Sequence, residues 1–344
     1  MECAEAEAEV TPGLQYVVVD RTTTRYEQYV GMADLATGVP MRAGTTMMAY
    51  SMSKTITAAA VLQLAEVGKL GLDDPIARYA DPQPYGTAVT IRQLLSHTAG
   101  IPNPIPLRWV HPMASHAVFD ERAALDEVLR KHPRVTRAPG ARYAYSNIGY
   151  WLLGRVVEQA SGVPFTDYVT ANILRRLDIA PEEMGYTVAD PVSHAAGYLE
   201  KYSFINLIKS FVIDPALIGE YSGRWLQIRG HYLNGPAFGG LVGTASAFAR
   251  FLQDQLREHS RLFDDATRAL FVEPQRTSNG REIPMTLGWH VGARRGERFL
   301  YKEGGGGGFH CMMRLYPDAG IGAVVMSNAT AFDVRGWLNE SLSP

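Results

Sequence analysis

The chain has 344 residues, 46% of them hydrophobic and 20% charged, with a formal net charge of −2. That length and balance suit a soluble globular protein of one large domain or two ordinary ones. Near-neutral charge gives no electrostatic reason to expect a nucleic-acid or membrane-surface partner, and no apolar run approaches the ~20 residues that span a bilayer.

The opening "MECAEAEAEV" is acidic and lacks the basic and apolar regions of a secretory signal, so the sequence reads as cytoplasmic, with Cys3 and Cys311 as free thiols. Residues 14–34 form two β-rich runs around a polar turn, the pattern of a hairpin. Helical apolar spacing follows over 54–68, 91–95, 120–131, 148–161, 166–177 and 245–259. Residues 203–240 are rich in large apolar side chains but broken by Asp214-Pro215, Gly219 and Gly223, which reads as either a cap over a pocket or core packing. Late β-rich runs over 285–305 and 309–328 carry turn signals at 293–296 and 317–320. These elements predict an α+β fold, in which an antiparallel sheet is built from N- and C-terminal strands, flanked by helices, around a mostly helical inserted region.

Three short patterns carry chemistry. Residues 55–65 contain no charge, so a helix there is buried nearly all round, and its early charge is Lys54, one of six lysines in the chain. Ser51 and Lys54 stand three apart and share one helix face. Burial disfavours the ammonium, and a neutral amine can take a proton from the serine hydroxyl, giving a nucleophile and its base. The competing reading makes Ser51 a helix cap. Tyr145-Ser146-Asn147 precedes a strongly amphipathic helix; a phenol there can relay a proton, and an amide can hold the lysine or orient a carbonyl. Lys302-Glu303-Gly304 ends a β-rich run. Its cation can hold down the pKa of Tyr145 and Lys54, and its glycine leaves room for substrate along the strand. Tyr232-Leu233-Asn234 and Lys69-Leu70-Gly71 repeat the last two patterns in other contexts. The run Gly304 to Gly308 does not fit a nucleotide-binding P-loop, because the glycines follow the lysine and lead into a strand.

In this order and context the patterns resemble the serine β-lactamase and penicillin-binding-protein superfamily. Within it the chain is similar to the class C β-lactamase-related esterase branch, family VIII carboxylesterases included, which uses Tyr-x-Asn. The likeness extends to residues 94–102, 139–154, 239–252 and 316–328, and covers about 12–328. It implies Ser51 as nucleophile, Lys54 as base, Tyr145 as proton relay, and Asn147, Lys302 and Gly304 as substrate-binding positions. The backbone N–H groups of Ser51 and Gly305 would form an oxyanion hole. Residues 12–75 and 245–344 would make the sheet domain and 76–244 a helical domain, with the active site in the cleft between them. The implied reaction is acyl transfer from a small ester to water through an acyl-enzyme, with weak β-lactamase or acyltransferase activity, or else β-lactamase or D-amino-acid amidase chemistry on the same fold. No cofactor or metal is implied, and the oligomeric state is open.

One departure bears on substrate. Glu303 stands where relatives carry a small or polar residue; facing the cleft, it would repel substrates that bear a carboxylate and favour neutral esters. Strand alternation would otherwise turn it to the opposite face. His97 is expected in a structural role, its ring bonded to nearby backbone.

Overall fold

Apolar runs from the two ends of the chain meet in one antiparallel sheet. In the computed structural model, which describes residues 11–106, 108–209 and 213–342, its strands are β1 (Gly13–Asp20), β2 (Thr24–Asp34), β3 (Val39–Pro40), β4 (His290–Arg294), β5 (Glu297–Gly306), β6 (Phe309–Tyr316) and β7 (Ile321–Ser327). Their order is β4-β5-β6-β7-β1-β2-β3. Cys3 lies outside the described residues.

Both faces of this sheet are covered, which is why its central strands read as nearly continuous apolar runs rather than strict alternation. Along β1, Leu14 and Tyr16 face a core that also holds Val325 and Leu338, whereas Val17 and Val19 face the larger core with Phe248 and Leu252. The helices of eight or more residues are α1 (Ser53–Glu66), α2 (Glu121–Lys131), α3 (Asn147–Ser161), α4 (Ala245–Leu256), α5 (Asp265–Val272) and α6 (Val334–Ser341). Helix α4 covers one face of the sheet and α6 the other.

Helix α1 is the axis of the larger core. Its residues from Ser53 to Leu64 are all buried, as the charge-free run predicts. Each large aliphatic side chain it buries, such as Ile56, Leu62 and Leu64, contributes about 1.5–3 kcal/mol. Helix α3 packs across it and buries Ile148, Trp151, Leu152 and Val156 in the same core. Ser146 caps α3 by accepting from Gly149 N–H at 3.1 Å, and Gly162, at φ 79°, ends it in the left-handed conformation.

The middle of the chain holds more strand than its pattern suggests. Val110–Pro112 pairs with His231–Leu233, and Trp225–Ile228 pairs with both Gly197–Glu200 and Ile218–Ser222. Most of these strands are too short to establish a period against the surrounding Gly and Pro. No described helix is long and apolar enough to cross a membrane.

Candidate active site

Ser51 sits in a single 3-10 turn, Tyr50–Met52, that feeds directly into α1. Tyr50 takes φ 43°, a conformation side-chain-bearing residues rarely adopt, and this bends the chain so that Ser51 stands at the helix entrance. The capping reading of Ser51 is not what the structure shows. The residue before α1 is Met52, and no side chain caps it.

Lys54 is 0% exposed. Its Nζ lies 2.8 Å from Asn147 Oδ1, 2.6 Å from the Phe238 carbonyl oxygen and 2.9 Å from Ser51 Oγ. The first two partners only accept hydrogen bonds. In a neutral amine they therefore claim both N–H groups and leave the lone pair aimed at the serine hydroxyl. Burial pushes the Lys54 pKa well below its usual value, and the neighbouring Lys302 pushes it the same way.

Tyr145 Oη lies 2.8 Å from Ser51 Oγ. Its ring is flanked by His97, with centroids 4.3 Å apart, and by His290 at 6.3 Å. Burial raises the Tyr145 pKa, so the group stays a phenol. The lowering expected from Lys302 is not met at Tyr145, where burial dominates and the hydrogen bond with Ser51 is the opposing influence, but it is met at Lys54. His97 Nδ1 accepts from Ser146 N–H at 3.1 Å, which fixes the ring beneath the Tyr145 loop.

On β5, alternate residues face the site. Lys302 is 0% exposed, with Nζ 5.6 Å from the centroids of both Tyr145 and Tyr150; burial lowers its pKa to about 7. It stands behind Tyr145 rather than on a surface a substrate can reach, so direct substrate contact, as expected from sequence, is corrected to an electrostatic position. Gly304 is corrected too. A Cβ there would lie 2.2 Å from the Ala49 carbonyl oxygen and 2.9 Å from Ser51 N, so its clearance serves the serine turn, not substrate. Glu303 points to the other face, 2.9 Å from His310 Nε2 and 2.6 Å from Arg335 Nε. Burial pushes its carboxyl up, but those two partners hold it below its usual value. The argument from Glu303 to neutral esters therefore falls.

The positions of the glycine run differ in how strictly they require glycine. A Cβ at Gly306 would sit 2.4 Å from the Tyr50 ring, one at Gly308 (φ 94°) 2.6 Å from Gly197 Cα, and one at Gly307 no closer than 3.7 Å to His231. Gly306→Ala is accordingly expected to cost about 1–3 kcal/mol in a urea melt, while Gly307→Ala stays within about 0.5 kcal/mol. Equal costs would contradict this packing.

Ser51, Asn147 and Gly305 line a cavity of about 280 Å³ walled by Ile105, Leu199, Leu217, Ile228, Leu233 and Phe238. Several of these come from the poorly periodic 203–240 stretch, which thus walls the cavity; its residues 210–212 lie outside the described residues. Among the described residues, no Lys or Arg lines the cavity, and the charged side chain that does is Asp214. Sequence reasoning missed Phe238, Tyr50 and Asp214. A backbone carbonyl leaves no side-chain signature, and nothing in the spacing of Tyr50 distinguishes it from its apolar neighbours.

A serine flanked by a buried lysine and a tyrosine beside a pocket is a nucleophile's setting. The model of the Beta-lactamase family matches residues 2–338. The chain belongs to that family. Its members include hydrolytic serine enzymes, and the chain has their fold. It is 26% identical to penicillin-binding protein 4* of Bacillus subtilis over 304 residues, 88% of this chain but 65% of that protein. It is 32% identical to esterase EstB of Burkholderia gladioli over 191 residues, 50% of this chain and 46% of the esterase. The structure of the octameric penicillin-binding protein homologue from Pyrococcus abyssi superimposes with a TM-score of 0.76 at 21% identity, over 98% of this chain and 73% of that one. These alignments leave part of each relative's length unmatched.

Proposed function

We propose that this member of the Beta-lactamase family is a carboxylesterase that cleaves small neutral esters through an acyl-enzyme on Ser51. The observation that carries the reading is the apolar cavity beside Ser51, whose described lining offers no Lys or Arg to a substrate carboxylate and presents Asp214 to repel one. The 32% identity to an esterase agrees with it.

Lys54 takes the Ser51 proton as Oγ bonds to the ester carbonyl carbon, and the carbonyl electron pair moves onto oxygen. The backbone N–H groups of Ser51 and Gly305 hold that oxyanion. Collapse expels the alkoxide, which takes a proton from the Tyr145 phenol, and the Lys54 ammonium then reprotonates the phenolate, so that the amine and the phenol are both restored. Water then repeats the sequence on the acyl-enzyme, releasing the acid and restoring Ser51. Asn147 and the Phe238 carbonyl keep the amine lone pair on target.

Each methylene the cavity buries is worth about 0.8 kcal/mol, so kcat/KM is expected to rise about fourfold per step from p-nitrophenyl acetate through propionate to butyrate. Greater kcat/KM on nitrocefin than on the butyrate would contradict the reading. Asp214 favours one second reading, an amidase for amino-acid amides with a free α-ammonium. In that case D-phenylalanine amide outperforms the esters, and Asp214→Asn weakens the amide reaction alone.

A further inference from the structure

Two side chains tie the turn that carries Ser51 to the hairpin that carries Gly305. Cys311, on β6, is buried with its Sγ 3.1 Å from the Ala49 carbonyl oxygen and 3.2 Å from the Gly304 carbonyl oxygen. From the other direction, the Tyr50 hydroxyl donates to the Gly307 carbonyl at 2.8 Å. We propose that Tyr50 and Cys311 are positioning residues, a two-sided clamp that sets the spacing and aim of the backbone N–H groups of Ser51 and Gly305. The inference rests on the acyl-enzyme reading above.

Peptide geometry gives the clamp its effect. The Gly304 carbonyl and the Gly305 N–H belong to one trans peptide group, so they point in opposite directions. Cys311 faces the carbonyl end, its single S–H shared between that oxygen and the Ala49 carbonyl, and Gly305 lines the cavity, so the N–H end is turned toward the place where an acyl oxygen sits. Rotation of that peptide plane by tens of degrees would misaim the donor, and the thiol contact resists it. Tyr50 secures the partner segment. Its φ of 43° is unfavourable for a non-glycine residue, by roughly 1–2 kcal/mol, and is maintained by the ring seated against Gly306 and the hydroxyl bond to Gly307. His231 lies on the same hydroxyl: its Nδ1–H donates to the Arg229 carbonyl oxygen at 3.0 Å, which leaves Nε2, 3.1 Å from Tyr50 Oη, as a second acceptor for the single Tyr50 proton. Gly306 is thus the counterpart of Tyr50, and the glycine run and the unusual serine turn are one fitted unit.

Loosening a donor costs less than deleting one, which is worth about 100- to 1,000-fold in rate. Tyr50→Phe and Cys311→Ala are each expected to lower kcat for p-nitrophenyl butyrate by about tenfold with KM within about twofold. The inhibition constant of n-butylboronic acid, which forms a tetrahedral adduct on the serine, should rise by the same factor. Cys311→Ser keeps a donor and should recover most of the loss. An unchanged kcat in both variants, or a kcat loss without the matching boronate loss, overturns the clamp. If Cys311→Ala fails to fold, Tyr50→Phe, which keeps the ring, decides alone. Wild-type protein that is neither inhibited by n-butylboronic acid nor labelled on Ser51 by a fluorophosphonate would overturn the acyl-enzyme reading itself, and the clamp with it.

Discussion

Lys54→Met is expected to lower kcat/KM for p-nitrophenyl butyrate by about 1,000-fold, the scale of a lost general base, while leaving the fold intact. Methionine fills the same buried channel between Ser51, Asn147 and Phe238 without leaving a charge there. The wild-type pH profile supplies a second reading of the same group. A neutral amine is required, so kcat/KM should fall as pH drops through the Lys54 pKa. Because burial and then Lys302 lower that pKa from 10.5, the acidic limb should lie far below the range of an ordinary lysine. A profile whose limb sits near 10.5 would contradict this, as would a Lys54→Met enzyme within tenfold of wild type.

Lys302→Met is expected to separate stability from activity. Lys302 is fully buried, with no hydrogen-bond partner for Nζ among the described residues, and its pKa falls from 10.5 to about 7. The unfolded chain therefore holds a proton that the folded chain releases between those two pH values, so folding stability attributable to this residue rises with pH across the window. The penalty is fullest below about pH 7 and gone above 10.5. Removing the amine should accordingly stabilise the protein most at pH 6, by at most about 5 kcal/mol on the scale of about 1.4 kcal/mol per pKa unit, and least at alkaline pH. Thermal melts across pH measure it. The same variant loses a cation that depresses Lys54, so the acidic limb of kcat/KM should move to higher pH. A uniform stability change at all pH values would show that packing, not charge, dominates at this position.

Much of this site is local in sequence, and that part was legible. Ser51 and Lys54 stand one helical turn apart, and the charge-free run behind them announces a buried helix whatever the fold. The large sheet was legible for the same reason, since β1, β2 and β5 to β7 carry their own β-rich composition and turn signals. The approach of Tyr145, Asn147 and Lys302 to Lys54 spans 91 to 248 residues of chain, and only the likeness to a known family predicted it. Glu303 illustrates a reading that physics alone decides. Adjacent residues of a strand face opposite sides, so a Lys302 turned toward Tyr145 obliges Glu303 to turn away. Tyr50 was illegible because its meaning lies in a fit to Gly306, across 256 residues, and neither residue signals it alone. The carbonyl of Phe238 was beyond reach because hydrogen bonding by backbone is independent of residue type.

Ser51 as the acylated residue is the claim on which the rest depends. Intact-mass spectrometry after exposure to a fluorophosphonate, followed by peptide mapping, tests it directly. The expected result is a single adduct on Ser51, absent in Ser51→Ala together with all p-nitrophenyl butyrate hydrolysis above background. An adduct on another residue, or a Ser51→Ala protein that still hydrolyses the ester at the wild-type rate, would contradict it.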